Sequence, residues 1–486
     1  MPDTSKRPDH DLDKFHEECA LFGIYGTADA AAHAALGLHA LQHRGQEASG
    51  IVTFDGRHFH DHRAAGLVGD IFGEQPVMAR LKGYSAIGHN RYATTGGASD
   101  RNIQPIFADF DFGGLALAHN GNLTNAYLLR KELVRMGCLF QSTTDTEVIN
   151  HLIARSDYST VQDRLIDALG KVKGAYSLLL LTNEALIGVR DPLGVRPLVI
   201  GKLDDAWILT SETCALDIIG ARFERDVDPG EIVIIDGNGP RSIKPFTQQP
   251  RRFCVFEHIY FARPDSRLEG IGVYEARKRI GMELAAESPV PADVVVPVPD
   301  SGVPAAIGYA HGSGLPFELG IIRNHYVGRT FIEPADHIRH LGVRLKHNAN
   351  RALIEGKRVI LVDDSIVRGT TSKKIVEMVK QAGAREVHMR IAAPPTTNPC
   401  FYGIDTPERD KLLASRYDVA GMAKFIGVDS LAFVSIDGLY RAMGQPGRDP
   451  AQPAFCDACF TGDYPIALDD QIGIEDRQLS FLAEVV

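Results

Sequence analysis

The sequence predicts an α+β layered domain followed by an α/β domain with a mainly parallel sheet, and three observations carry that expectation. From Cys19 to about Phe253, short apolar runs end at Gly, Asn or Asp turns, among them AYSLLLLT (175–182), RPLVIGKL (196–203) and EIVIIDGNG (231–239). Helical stretches such as AAHAALGLHALQH (31–43) and DTEVINHLIARS (145–156) interrupt these strands in segregated blocks. From about Gly270 to Ile436 the order becomes alternating: ADVVVPVP, KRVILVDD and EVHMRIAAP read as strands, with TSKKIVEMVKQAG as a helix between the last two. Such alternation implies βαβ crossovers and a parallel sheet covered by helices.

At 486 residues the chain exceeds the size at which one hydrophobic core stops growing, so two domains are expected. The division predicted is a leader at 1–18, a first domain at 19–253, a second at 254–464 and a tail at 465–486. PFTQQPRR (245–252) reads as the linker. Apolar content of 44% and charge of 23% are ordinary for a globular protein. The net charge of −10 argues against a general nucleic-acid surface, which needs clustered Lys and Arg. The leader lacks the apolar stretch of a secretory signal and is too acidic for a mitochondrial one. With no apolar run near the roughly 18 residues of a membrane span, no membrane partner and a cytoplasmic location are expected. Seven cysteines in such a chain do not read as a disulfide framework.

Cys19 stands where a charged leader gives way to ALFGIYG. It is either a small residue opening a buried strand or the working N-terminus left when the leader is removed. Four further segments bear on the choice. LQHRGQEASG holds Arg44, GHNRYATTG holds Arg91, LAHNGNLTN presents Asn120 and Gly121, and STTDTEV puts Asp145 at a helix start. Singly, Asn-Gly is hairpin chemistry and Asp145 an N-cap. Together with Cys19 and VRDPLGVRPL (189–198), they resemble the class II glutamine amidotransferase domain, a member of the N-terminal-nucleophile hydrolases. The resemblance implies that Cys19 is the catalytic nucleophile, that Asn120 and Gly121 form the oxyanion hole, and that Arg44, Arg91 and Asp145 bind glutamine. An N-terminal cysteine carries its own base, an α-amine of pKa ~7.7–8.0 beside a thiol of pKa ~8.5. An internal Cys19 has no such amine, which gives the leader a purpose: cleavage at Glu18–Cys19.

In the second half, VILVDDSIVRGTTSKK (359–374) is an apolar strand ending in two acids, then a Ser/Gly/Thr loop and a helix. Simple turn chemistry is the alternative. Paired carboxylates suit neighbouring sugar hydroxyls, and loop amides before a helix N-terminus suit a phosphate. Gly369 permits close backbone approach. The segment resembles the phosphoribosyl-pyrophosphate (PRPP) site of type I phosphoribosyltransferases. This implies that Asp363 and Asp364 bind the ribose, and that Ser365, Val367, Arg368, Gly369, Thr370 and Thr371 wrap the 5′-phosphate. VPVPDSGVPAA (296–306) then resembles the pyrophosphate loop, with Ser301 joining Asp363 and Asp364 near one Mg²⁺ per subunit. The Arg- and His-rich stretch 321–348 is either a solvated basic surface or a lid over pyrophosphate. Arg329, Arg344 and Lys346 are its expected anion contacts.

A glutamine site followed by a PRPP site resembles the glutamine phosphoribosylpyrophosphate amidotransferases. That family implies ammonia passing from glutamine to C1 of PRPP, with glutamine and PRPP as substrates, feedback by purine nucleotides and a homotetramer. Spacing alone leaves zinc, an iron–sulfur cluster and no metal equally open for Cys254, Cys400, Cys456 and Cys459. The subfamily with a cleaved leader carries a structural [4Fe–4S] cluster in segments like IYFARPDS, PCFYGID and CxxCF, which favours one such cluster per subunit. Cys138 and Cys214 read as core residues. Other class II amidotransferases lack the DDSIVRGTT loop. A non-catalytic PRPP-binding regulator would need no glutamine site and should carry a basic DNA-binding segment, and an inactive paralogue should have lost Cys19, Arg91 or Asp363.

Overall fold

The computed structural model describes residues 16–17, 19–92, 100–324 and 347–471. Its first half is built on two antiparallel sheets. The seven-stranded sheet runs Arg222–Asp226, Val199–Leu203, Ala206–Thr210, Ala20–Tyr25, Ser85–Arg91, Ala48–Phe54, Phe59–Ala65. The six-stranded sheet runs Gly239–Ile243, Ile232–Asp236, Leu186–Arg190, Gly174–Thr182, Gly113–Leu123, Ile106–Phe110. Leu21, Val52 and Ile87 of the first meet Ala116, Leu179 and Leu181 of the second in a shared core. Helix Ala30–Ala40 covers the outer face of the first sheet, and helices Thr146–Ala154 and Val161–Leu169 cover that of the second. The result is a four-layered sandwich.

Burial follows from the layering. Ala48–Phe54, Ser85–Arg91 and Gly174–Thr182 are buried along their whole length because both faces are covered. The edge strand Phe59–Ala65 alternates between half-buried and exposed positions, as a strand with one wet face does.

The second half carries a four-stranded parallel sheet in the order Val294–Pro297, Arg358–Asp363, Glu386–Ile391, Ser430–Phe433. Helix Thr370–Gln381 makes the crossover between the middle strands, burying Ile375, Val376 and Val379. Helices Val273–Glu287 and Val303–Ser313 pack on each other. Ligands of such sheets bind beyond the carboxyl ends of the strands, where Asp363 stands.

The two halves share one continuous apolar core, in which Phe22 and Leu38 of the sandwich join Phe256 and Ile259. PFTQQPRR lies outside helix and strand, as expected of a linker. The chain then forms the short strand Phe253–Cys254, parallel to Phe455–Cys456, and a π-helical turn at Glu257–Phe261. Ahead of Cys19, the backbone of His16–Glu17 pairs antiparallel with Ile404–Asp405. Among the described residues no helix is long and apolar enough to cross a membrane.

Candidate active site

The antiparallel register sets Ala20 opposite Asn90, so Cys19, at the start of its strand, sits at the same sheet end as Arg91. Cys19 is buried, its Sγ 4.0 Å from the Tyr92 carbonyl. Its φ of 70° is left-handed, a conformation that costs a non-glycine residue about 1–2 kcal/mol. Arg91 is buried at its strand end. The ring of His89 reaches the His119 carbonyl on the other sheet at 3.1 Å, drawing the two sheet ends together. Burial, with Arg91 and His119 beside it, pushes His89 down to about 3.

Asn120 and Gly121 are not at a turn tip, as Asn-Gly would suggest. They lie within Gly113–Leu123, opposite Ser177 and Tyr176. Neither amide atom of the fully buried Asn120 side chain has a hydrogen-bond partner among the described residues. A buried polar group left alone is costly and points to a ligand. Gly121 has φ 139°, and a Cβ there would fall 2.0 Å from the Ala175 carbonyl oxygen.

Asp145 stands at the N-cap position of its helix but makes no capping bond. Its carboxylate instead accepts from the Leu123 amide at 2.9 Å and lies 3.5 Å from His119 Nδ1. Glu147 folds the preceding loop by accepting from the Gln141 and Ser142 amides, both at 2.7 Å. Burial works to raise Asp145, but His119 and the amide bonds outweigh it and hold the carboxyl below its usual range. A pocket of about 150 Å³ opens beside Asp145, lined also by Asn122, Arg130, Phe401 and Asp470.

Arg44 is a correction. Its guanidinium is fully buried and pairs with Glu212 and Glu257, so it holds the seam between the halves rather than facing a ligand. His43 reaches Glu212 at 2.7 Å, and Arg196 reaches Glu257 at 3.0 Å. Arg44 and His43 outweigh burial and keep Glu212 far below the carboxylate range. VRDPLGVRPL explains itself in the same structural way. Arg190 donates to the carbonyls of Arg196, Val227 and Gly194, and Asp191 accepts from the Leu193 and Val195 amides.

In the second half, Asp363 and Asp364 are buried at the end of Arg358–Asp363. Asp363 Oδ1 accepts from the Asp364 amide at 2.9 Å, and Asp364 Oδ1 from the Ser365 hydroxyl at 2.6 Å. The loop Ser365–Gly369 leads into helix Thr370–Gln381, with Gly369 left-handed at the cap, φ 78°. Leu413 N donates to the Val367 carbonyl at 2.8 Å and fixes the loop's outer side. The Val298 amide donates to the Val362 carbonyl at 2.8 Å, which brings the Pro299–Gly302 loop beside the acid pair. The Ser301 hydroxyl and one oxygen of Asp364 are buried without hydrogen-bond partners among the described residues, an oxygen donor set that fits Mg²⁺. Arg329, Arg344 and Lys346 lie outside the described residues, as do most of the leader and the end of the tail.

No two of the seven cysteines form a disulfide among the described residues. Cys254 is opposite Cys456 in the short parallel ladder, and the Cys459 carbonyl accepts from the amides of Thr397 and Asn398, close to Cys400. The four thiols are near enough to repel one another as thiolates. Burial foremost, then the other cysteines, raises Cys456 and Cys459, and burial pushes Cys254 up to about 12. Among the described residues no group of three or more His, Cys, Asp or Glu is arranged to hold a metal ion. Cys214 is buried, as expected, whereas Cys138 is only half-buried.

Two family models match, a glutamine amidotransferase domain over residues 89–217 and a phosphoribosyl transferase domain over 274–397. The chain is 61% identical over 480 residues to the amidophosphoribosyltransferase of Rhizobium etli, covering 97% of each. It is 49% identical over 451 residues to that of Bacillus subtilis, covering 93% of this chain and 94% of the relative. The solved B. subtilis glutamine PRPP amidotransferase, complexed with ADP and GMP, superposes with a TM-score of 0.88 at 48% identity, over 93% of this chain and 98% of that one. A glutamine-type sandwich and a PRPP-type sheet in one chain, matched over 93–97% of its length by these relatives, mean that this protein belongs to the amidophosphoribosyltransferase family of glutamine-dependent enzymes.

Proposed function

We propose that Cys19, freed by removal of residues 1–18, hydrolyses glutamine, and that the ammonia released aminates PRPP at the Asp363–Thr371 site. The observation that carries the glutamine half is the buried, partnerless Asn120 amide in the strand position before Gly121. The Cys19 thiolate attacks the side-chain amide carbon, with its own α-amine as base. The Asn120 amide and the Gly121 N–H receive the oxyanion. Ammonia leaves with a proton, and water cleaves the thioester to give glutamate. Asp145, held ionised by its surroundings, takes the substrate ammonium, and Arg91 takes its carboxylate.

At the second site Asp363 and Asp364 hold the ribose hydroxyls, and the amides of 365–371 hold the 5′-phosphate. Ammonia attacks C1, and the C1–O bond breaks with its electron pair leaving on pyrophosphate. The new amine then sheds a proton, giving 5-phosphoribosylamine. One Mg²⁺ per subunit, held by Asp363, Asp364 and Ser301, would supply charge to offset that of the leaving pyrophosphate.

Cys254, Cys400, Cys456 and Cys459 would hold one [4Fe–4S] cluster per subunit with a structural role. Four thiolates on one zinc at ~2.3 Å would crowd their sulfurs to about 3.8 Å of each other. Four neighbouring thiols also suit a cluster, in which each sulfur has its own iron. The ADP and GMP on the B. subtilis relative support purine nucleotides as inhibitors here. A cytoplasmic homotetramer completes the proposal.

The experiment is the intact mass of anaerobically purified protein, with glutamine- and ammonia-dependent rates on the same sample. A chain starting at Cys19 and active with both nitrogen sources is expected. A chain that retains residues 1–18 yet uses glutamine would refute the free-amine mechanism.

A further inference from the structure

Immediately after Gly121 the chain is gripped from two directions. On one side the Leu123 amide donates to Asp145. On the other, the second half of the protein reaches over. Asn122 Nδ2 donates to the Phe401 carbonyl at 2.9 Å. Asp470 spans the start of helix Ala126–Arg135, taking the Tyr127 amide on Oδ2 at 2.8 Å and the Leu128 amide on Oδ1 at 3.1 Å. The Asp470 amide donates to the Thr124 carbonyl at 2.8 Å, and Asp469 pairs with Lys173 at 2.8 Å. Asp470 is buried, and both it and Phe401 line the pocket beside Asp145.

The same segment is tied to the cysteines. Phe401 lies between Cys400, whose Sγ accepts from the Tyr402 amide at 3.3 Å, and Tyr402 itself. The Tyr402 hydroxyl donates to the Ile466 carbonyl at 2.7 Å and accepts from the Ile466 amide at 3.0 Å. The Tyr464 hydroxyl donates to the Pro399 carbonyl at 2.5 Å. Residues 464–471 therefore run as a strap from the cysteine loop to the segment that follows the oxyanion residues.

Resting on the glutamine site proposed above, we infer that Asp470 is a positioning residue for glutamine hydrolysis, and that the 464–471 strap makes this half-reaction depend on the order of the Cys400 loop. Both carboxylate oxygens of Asp470 accept from backbone amides, so it acts through the segment it holds. It holds Asn122–Leu128 so that Gly121 and the Leu123–Asp145 contact keep their geometry, where a small displacement costs rate. The nitrogen-accepting site beyond Asp363 has no part in this grip, so use of free ammonia is independent of it.

The test uses the full-length enzyme carrying Asp470→Ala. Expected are a KM for glutamine raised roughly tenfold, on the scale of a lost helix cap, an unchanged ammonia-dependent rate, unchanged iron content and faster hydrogen exchange at residues 123–128. Unchanged glutamine kinetics overturn the inference, whatever the exchange shows. So does a parallel fall of both activities, which would mark Asp470 as a general stabilising residue. Tyr402→Phe is the second variant. It cuts both bonds to Ile466 while leaving every cysteine and Asp470 in place, and should shift KM in the same direction by a smaller factor; no shift would sever the strap from the cysteine loop. If the unaltered protein hydrolyses no glutamine, the site assignment itself falls. If it does and Asp470→Ala matches it, only the strap falls.

Discussion

Arg44 and Glu257, 213 positions apart, meet as a buried ion pair between the sandwich and the parallel-sheet half, with Glu212 on the other side of the guanidinium. Removing one partner of a buried pair leaves an uncompensated charge. Glu212→Gln should therefore lower unfolding free energy by about 3–5 kcal/mol, read as the denaturant midpoint of the intact protein. A change under about 1 kcal/mol would mean the seam tolerates the charge. Because Glu212 is held far below the carboxylate range, its contribution is present above the unfolded-state pKa and fades as pH falls beneath it.

Cys19→Ala should abolish glutamine-dependent product formation and leave the ammonia-dependent rate within about twofold, since no group of the PRPP site depends on the thiol. Paired assays at saturating PRPP decide this. Simultaneous loss of both activities in a folded protein would contradict the division into two sites.

Asp363→Asn should weaken PRPP binding by roughly 10- to 100-fold, the scale of one lost charge-assisted hydrogen bond. Iron content should stay unchanged, because the cysteines belong to different segments of the fold. Calorimetric titration with PRPP and an iron assay on the same preparation test both statements. Iron loss in this variant would show the two sites to be linked.

His89 and His258 are buried, and desolvation foremost pushes each down to about 3. Both are neutral in the folded protein and take up protons on unfolding below pH ~6.5. The unfolded chain then binds more protons than the native one, so stability is full above that pH and falls on acidification. At pH 5 each should remove about 2 kcal/mol. Urea midpoints between pH 8 and pH 5 measure the slope, and His89→Gln should flatten it. An unchanged slope would mean His89 is not the titrating group.

The candidate site was legible where its residues are local in sequence. Cys19, Asn120, Asp145 and the acid pair at 363–364 each sit in a short motif whose residue types announce a site, and the structure sets the first three at one end of the sandwich. What failed is non-local. Arg44 belongs to a motif, but its partners Glu212 and Glu257 lie 168 and 213 residues away, and nothing in LQHRGQEASG specifies them. Asp145 is expected at a glutamine site by resemblance, with a helix cap as the ordinary alternative for an acid at a helix start, and the structure gives it no capping bond. Only the Leu123 amide reveals its turn inward. The 464–471 strap has no periodicity to detect, since its order comes from bonds to Tyr402, Thr124 and the Tyr127–Leu128 amides.

The two-residue ladder between Phe253–Cys254 and Phe455–Cys456 has a consequence for how the chain reaches its native state. It joins the first and last segments of the parallel-sheet half, closing a loop of roughly 200 residues, whose closure entropy is on the order of 5 kcal/mol. A contact between such distant segments forms late, after local helices and neighbouring strands have gathered the chain. A bridge across these thiols would act on the unfolded ensemble as a disulfide does, yet in a chemistry that survives a reducing compartment. The cluster proposed for these cysteines would, once bound, clasp the first and last segments of the second half and close that loop.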